Sequence, residues 1–176
     1  FNVAAGHTET FASPTAGHIT TLTGSVSNPI VFQKSGAGNN PIITSGTGVA
    51  LKDAIIAITG CDYITFDGIN IKDKVTNFTA NQKMEWGYAI LKNSGVDGSQ
   101  NITIKNCTIT LDKMYDYAIG IHSNNHTLLS PSQLTVTEFS GTNSNLKIYN
   151  NTLTNCYTGI YIAGYNHEAA PYDFYD

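Results

Sequence analysis

A stacked coil of short parallel strands, three to a turn, is the fold this sequence predicts, and three observations lead to it. The composition favours strands and turns. Charged residues are 12% of the chain, against the usual quarter or so of a soluble domain. Thr, Asn and Ser supply the polar surface instead, and these are poor helix formers. Next, three segments alternate apolar and polar residues and then slip by one: "YITFDGINI" at Gly68, "NITIKNCTITLD" at Asn106 and "NLKIYNNTL" at Asn150. Gly and Asn tolerate a left-handed backbone, so each slip reads as a one-residue corner between two strands. Finally, a Tyr-led strand recurs between the slipped pairs: "YAIL" from Tyr88, "YAIGI" from Tyr117 and "YTGIYI" from Tyr157. "VALKDAIIAI" (Val49 to Ile58) is an earlier relative.

Stacking such coils aligns equivalent strands and buries a shared interior. The expected inward columns are Ile64/Ile102/Leu146, Phe66/Ile104/Ile148, Ile71/Ile109/Leu153 and Ile90/Ile119/Ile160. Each buried side chain contributes about 1.5–3 kcal/mol. Thr65/Thr103/Lys147 and Asn70/Thr108/Thr152 then face outward, and Asp67 falls beside Lys105 at the corner. No segment sustains a helical period; a β-sandwich is the rival that also yields short alternating strands. The organisation expected is one domain over 1–176, as a piece of a longer chain. Residues 1–48 form a first coil and N-terminal cap, 49–164 the repeat coils, and 165–176 a tail or the start of a further coil. The last coil, "GIYIAGYN", and the aromatics Tyr172, Phe174 and Tyr175 leave an edge for a neighbour to cover.

A net charge of −4 and pI near 5.6 argue against nucleic acid or an anionic membrane. No stretch approaches the roughly 18 apolar residues of a membrane-spanning helix. All nine basic residues are Lys. Cys61, Cys107 and Cys156 lack metal-ligand spacing. Cys107 reads as a buried thiol, with a Cys107–Cys156 disulfide left open.

"NITIKNCTITLD…YAIGI" and "NLKIYNNTLTNCYTGIYI" resemble the right-handed parallel β-helix repeat of pectate-lyase-like proteins, with Asn106 and Asn150 matching the corner asparagine stacked there. "GSVSNPIVFQKSGAGNNPIITSG" (Gly24 to Gly46) resembles the first coil of secreted β-helix proteins, including chondroitinase-like polysaccharide lyases. "MEWGYAILKNSGVDGSQNITIKNCTITLDK" and "GYNHEAAPYDFYD" are similar to large surface proteins of Bacteroidota. The resemblance implies an all-β right-handed parallel β-helix with three short strands per coil and long loop insertions. It also implies an extracellular, cell-surface location and a glycan groove along the outer face of one sheet, where enzymes carry carboxylates, calcium ligands or basic residues.

The Tyr-led sheet is the one to inspect. Its expected outward positions are Ala89, Ala118 and Gly159, then Leu91, Gly120 and Tyr161, none suited to proton transfer or cation binding. The absence of Arg removes a common helper of lyases. Asp112 and Asp116 share a loop and read as solvated acids. His122 and His126 in "HSNNH" would suit a metal only on a helix, and read as surface residues of a turn-rich segment. The N-x-T triplets at Asn101, Asn106 and Asn150 read as the repeat itself. Residues 122–144 carry one apolar patch, "QLTVTEF", and are expected to form a hairpin beside the coil. Aromatic residues are the more informative surface: Tyr88 and Tyr117 are expected to cap the interior, Trp86 and Tyr161 to face outward.

The expected function is thus a non-catalytic module, a rigid stalk, adhesin or assembly subunit able to bind glycan. The alternative is a truncated polysaccharide lyase or glycoside hydrolase. Trp86, Tyr115, Tyr161, Tyr165, Asp112 and Asp116 are the glycan- or partner-binding candidates, with Gly68, Asn106 and Asn150 as structural corners. No catalytic residue, metal ligand or cofactor is assigned, and calcium has no supporting ligand pattern. Expected partners are an extracellular glycan or other surface-protein subunits, in a homo-oligomer or filament. Nucleic acid and membrane insertion are not expected.

Overall fold

The computed structural model describes residues 1–49 and 52–165. They form a right-handed parallel β-helix of three five-stranded sheets. Sheet A runs β1 (Asn2–Ala4), β4 (Ile30–Ser35), β7 (Ile64–Asp67), β10 (Thr103–Lys105) and β13 (Lys147–Tyr149). Sheet B runs β2 (Thr8–Thr10), β5 (Ile42–Thr44), β8 (Asn70–Lys72), β11 (Thr108–Thr110) and β14 (Thr152–Thr154). Sheet C runs β3 (His18–Ile19), β6 (Ala54–Thr59), β9 (Trp86–Leu91), β12 (Ile119–Ser123) and β15 (Thr158–Ile162). Each coil takes one strand from each sheet in chain order. The stretch Gly24 to Gly46 supplies β4 and β5, which belong to the second coil, because the chain opening already folds as a coil of its own through β1, β2 and β3. Tyr172, Phe174 and Tyr175 lie outside the described residues.

The corner between sheets A and B is as expected. Gly68, Asn106 and Asn150 have φ of 68°, 57° and 55°. The register Thr65↔Thr103↔Lys147 puts them one above another. Their side chains do not form one asparagine ladder. Asn106 donates to Asp67 Oδ1 at 2.6 Å, while Asn151 donates to the Ile104 carbonyl at 2.8 Å and accepts from the Cys107 amide at 3.0 Å. Lys105 pairs with Asp67 at 3.1 Å. Burial alone would raise the Asp67 carboxyl, but the bonds from Asn106 and Lys105 outweigh it and hold the group below its ordinary value. A second left-handed column enters sheet A at Tyr63, Asn101 and Asn145, with φ of 54°, 57° and 58°. Of the repeat-position N-x-T asparagines, Asn106 and Asn150 therefore sit at corner A–B and Asn101 at this entry.

Three of the four expected interior columns hold: the register joins Phe66, Ile104 and Ile148, and likewise Ile71, Ile109 and Leu153. The Ile64/Ile102/Leu146 column follows from the same pairing, and Ile64 and Ile102 are fully buried. An aromatic ladder fills the middle, Phe1 on Phe32 at 4.8 Å, Phe32 on Phe66 at 4.9 Å and Phe66 on Tyr88 at 5.1 Å. The fourth column does not form. Ile119 pairs with Trp86 and Thr158, and the true inward neighbours are Ile56, Tyr88, Ile121 and Ile160, then Ile58, Ile90, Ser123 and Ile162.

The reason is a phase slip within sheet C itself. A side chain on Gly87 would strike Ile109 and Ile71 of the interior, so Gly87 faces in. Tyr88, the next residue, also faces in, fully buried with its hydroxyl donating to the Ile69 carbonyl at 3.0 Å. Two successive inward positions flip the rest of the strand. All three cysteines are free thiols, Cys61 and Cys107 buried. Cys107 follows the A–B corner and Cys156 precedes β15, so they lie at different corners of the coil. Residues 124–144 contain no strand but a 3₁₀ turn at Phe139–Gly141. The expected hairpin is absent because this segment bonds to neighbouring loops: Gly98 donates to Ser140 and buried Lys92 reaches the Gly141 carbonyl at 2.7 Å.

Candidate functional site

Because of the slip, the outward column of sheet C is Ala57, Ala89, His122 and Tyr161, not Ala89, Ala118 and Gly159. Ala57 and Ala89 on β6 and β9 are fully buried in a small second apolar cluster with Trp86 and Leu91, and the larger rings of His122 on β12 and Tyr161 on β15 continue the column beside it. Trp86 projects from the start of β9 onto this face. Its ring stacks on His122 at 4.3 Å with planes 5° apart, and His122 stacks on Tyr161 at 5.4 Å and 13°. Trp86 and His122 are only 5% and 4% exposed, whereas Tyr161 is 43% exposed. Trp86 thus faces outward as expected but is covered, by His122 on one face and by packing with Ile119 and Leu128.

His126 lies four residues beyond His122 and is 5% exposed, so these are not surface histidines. The end of β12 and the turn after it bring their Nε2 atoms to 3.4 Å. His126 Nδ1 lies 2.7 Å from the Thr127 carbonyl. Burial depresses both imidazoles, His122 to about 3, and so favours their neutral forms.

Glu85, just ahead of β9, anchors the other wall. One carboxylate oxygen accepts from the Lys52 and Asp53 amides at 2.9 and 2.7 Å, and the other from the Tyr115 hydroxyl at 2.5 Å. Burial raises the Glu85 carboxyl despite those donors. Burial, then the Glu85 contact, also pushes the Tyr115 phenol up. Tyr117 packs edge-on against Tyr115 at 5.7 Å and is 61% exposed. It does not cap the interior as Tyr88 does, because β12 begins two residues later and leaves Tyr117 on the loop.

Between these walls opens a cleft of about 350 Å³, with Trp86, Ile119, His122 and Tyr161 along the sheet, Tyr117, Glu85 and Lys52 on one side, and Asn124, His126 and Pro131 on the other. Of the sequence candidates, Trp86 and Tyr161 meet here through His122, and Tyr115 supports the wall from behind Glu85. Asp112 does not line it: Lys83 and the Met114 amide hold that carboxylate at another surface cleft. The hydrogen bonds and ion pair to Lys83 keep it below its ordinary value. Asp116 is exposed on the loop before β12, and Tyr165 is half-buried beyond β15, neither in the cleft. The residues sequence reasoning missed are Lys52, Glu85, Tyr117, His122, Asn124 and His126. A signal for His122 was present: Gly87, Gly120 and Gly159 align "WGYA", "IGIH" and "TGIY", whereas aligning on isoleucine shifts the strands.

A scan against protein-family models finds no matching family, and searches of curated proteins and of solved structures find no match to the chain.

Proposed function

We propose that this chain is a glycan-binding segment of a larger β-helix protein displayed outside the cell, with the cleft on sheet C as its binding site. The observation that carries the reading is the half-exposed Tyr161 ring at the end of the Trp86–His122–Tyr161 stack, facing a cleft that also exposes Tyr117. Aromatic faces beside polar groups suit the C–H faces and hydroxyls of sugars. Stacking and burial fix the inner two rings, so little side-chain freedom is lost on binding.

A binding role is favoured over hydrolysis by how Glu85 is used. Glycosidases set two carboxyl groups across the scissile bond, about 5–9.5 Å apart. Among the described residues of the cleft wall, Glu85 is the carboxylate, and it spends both oxygens on three donors. The surface-protein resemblance supports the extracellular location and the stalk or adhesin role within a secreted Bacteroidota protein. Ile160 and Ile162 sit in inward columns yet are about half exposed, which supports contact with another coil or subunit.

A glycan array followed by calorimetry on the best hit tests the reading, with Tyr161→Ala and Tyr117→Ala variants and a parallel assay for released sugar ends. Binding lost in both variants, without product release, is the expected result. Product release above a heat-killed control, or binding indifferent to both substitutions, would sink it.

A further inference from the structure

The pair at the cleft floor, His122 and His126, has a geometry that glycan stacking does not use. We propose that His122 and His126 bind one transition-metal ion of the copper or zinc class through their Nε2 atoms, leaving its remaining coordination positions open to the cleft. The inference stands apart from the glycan reading and rests on the two imidazoles and on the groups that hold them in place.

The spacing is the first argument. Two imidazole nitrogens each about 2.0–2.1 Å from a tetrahedral ion lie ~3.3–3.4 Å apart. The two Nε2 atoms stand at 3.4 Å. The second argument is the proton arrangement on His126. The Thr127 carbonyl, 2.7 Å from Nδ1, can only accept. Nδ1 therefore carries the proton and Nε2 presents its lone pair. A backbone carbonyl holding the far nitrogen is the outer-shell contact that orients metal-bound histidines. The third is His122: its ring is clamped between Trp86 and Tyr161, so its nitrogen is aimed without further ordering.

In the metal-free pair one proton sits between the rings, His122 Nε2–H donating to His126 Nε2. That leaves the buried Nδ1 of His122 as a lone pair with no partner among the described residues. Metal binding at both Nε2 atoms shifts that proton to Nδ1 and releases none. Imidazole selects copper, zinc and nickel over the oxygen-seeking calcium and magnesium. Among the described residues no group of three or more His, Cys, Asp or Glu converges, so water or a ligand donor completes the shell. Lys52 in the cleft wall opposes a cation and Glu85 favours one.

Cu2+, the tightest binder of the series for such ligands, is the probe. The full chain is titrated with Cu2+ by calorimetry and frozen-solution electron paramagnetic resonance. One equivalent is expected, with hyperfine structure from two imidazole nitrogens. His126→Gln should weaken it at least tenfold while circular dichroism stays unchanged, and His7→Gln, an exposed control, should not. The His126 variant is decisive because replacing His122 also breaks the ring stack. No binding at micromolar Cu2+, a single-nitrogen signal, or an affinity that His126→Gln leaves intact would overturn the proposal.

Discussion

The corner between sheets A and B and the outer face of sheet C are built from the same coils, yet they obey different rules. From the third coil on, one left-handed residue makes the corner, whereas the second coil turns through Gly36 and Gly38 in the longer stretch 36–41. Gly68, Asn106 and Asn150 repeat with φ of 55° to 68°, and Ile69 and Cys107, directly after the first two, turn into the core. On sheet C two successive inward residues make the slip, Ile55 and Ile56 on β6 and a glycine with its successor on β9 and β12, and the outward positions then differ from coil to coil: Ala57, Ala89, His122, Tyr161. The first region shows that a solenoid repeats what its backbone requires. The second shows that side chains vary from coil to coil where the backbone leaves them unspecified.

The largest expected effect comes from the glycines of sheet C. A β-carbon on Gly87 would lie 2.4 Å from the Gly120 carbonyl oxygen and 2.7 Å from Ile109. Gly87→Val should therefore cost at least about 3 kcal/mol, or prevent folding, through overpacking against backbone. Gly159 occupies the same column one coil past Gly120, with its nearest neighbour at 4.0 Å, so Gly159→Ala should stay within about 0.5 kcal/mol. Denaturant melts of the two variants check the contrast, and equal costs would break the claim that Gly87 and Gly120 mark the inward slip.

Asn106→Val comes next. A β-branched residue at φ 57° is strained, at a cost of order 1–3 kcal/mol, and the bond to Asp67 is lost as well. Asn106→Gly keeps the backbone and loses only that bond, so it should sit well above the valine variant in thermal stability. If the two melt together, the corner is held by side chains and not by backbone.

These cases show how far the sequence could be read. Corner A–B was legible because Asn and Gly report backbone conformation directly, and a phase slip recurring in three segments set the register there. Sheet C was misread because Ile90, Ile119 and Ile160 are chemically alike and invite alignment. Only glycines, whose inward orientation has no hydropathy signature, give the true register. The cleft was half legible. Trp86 and Tyr161 stand out as aromatics near the right sheet. The burial of His122 and His126 depends on the 124–144 loop folding back, and Glu85 depends on amides of Lys52 and Asp53 far away in sequence. Spacing reports neither.

The smallest effect separates surface from site. Lys105→Ala removes the corner ion pair, in which both side chains are 28% exposed, so the loss should be about 0.2–1 kcal/mol. The Asp67 carboxyl is held below its unfolded value of 3.8. The pair's contribution is therefore fully present above pH 3.8 and disappears as the pH falls through the lower folded value. Wild type and variant should differ in melting temperature at neutral pH and converge in acid. A difference that persists below that window would assign the cost to lost packing instead of charge.

The proposed glycan site on the outer face of sheet C can be tested by two-dimensional NMR of isotope-labelled chain with an array-selected oligosaccharide. Shift changes are expected to centre on the cleft residues Tyr117, Ile119, His122, Asn124 and Tyr161, with Thr103 on sheet A and Thr110 on sheet B unmoved. Changes centred on the threonines of sheet A or B, with the Tyr117 and Tyr161 signals still, would contradict it.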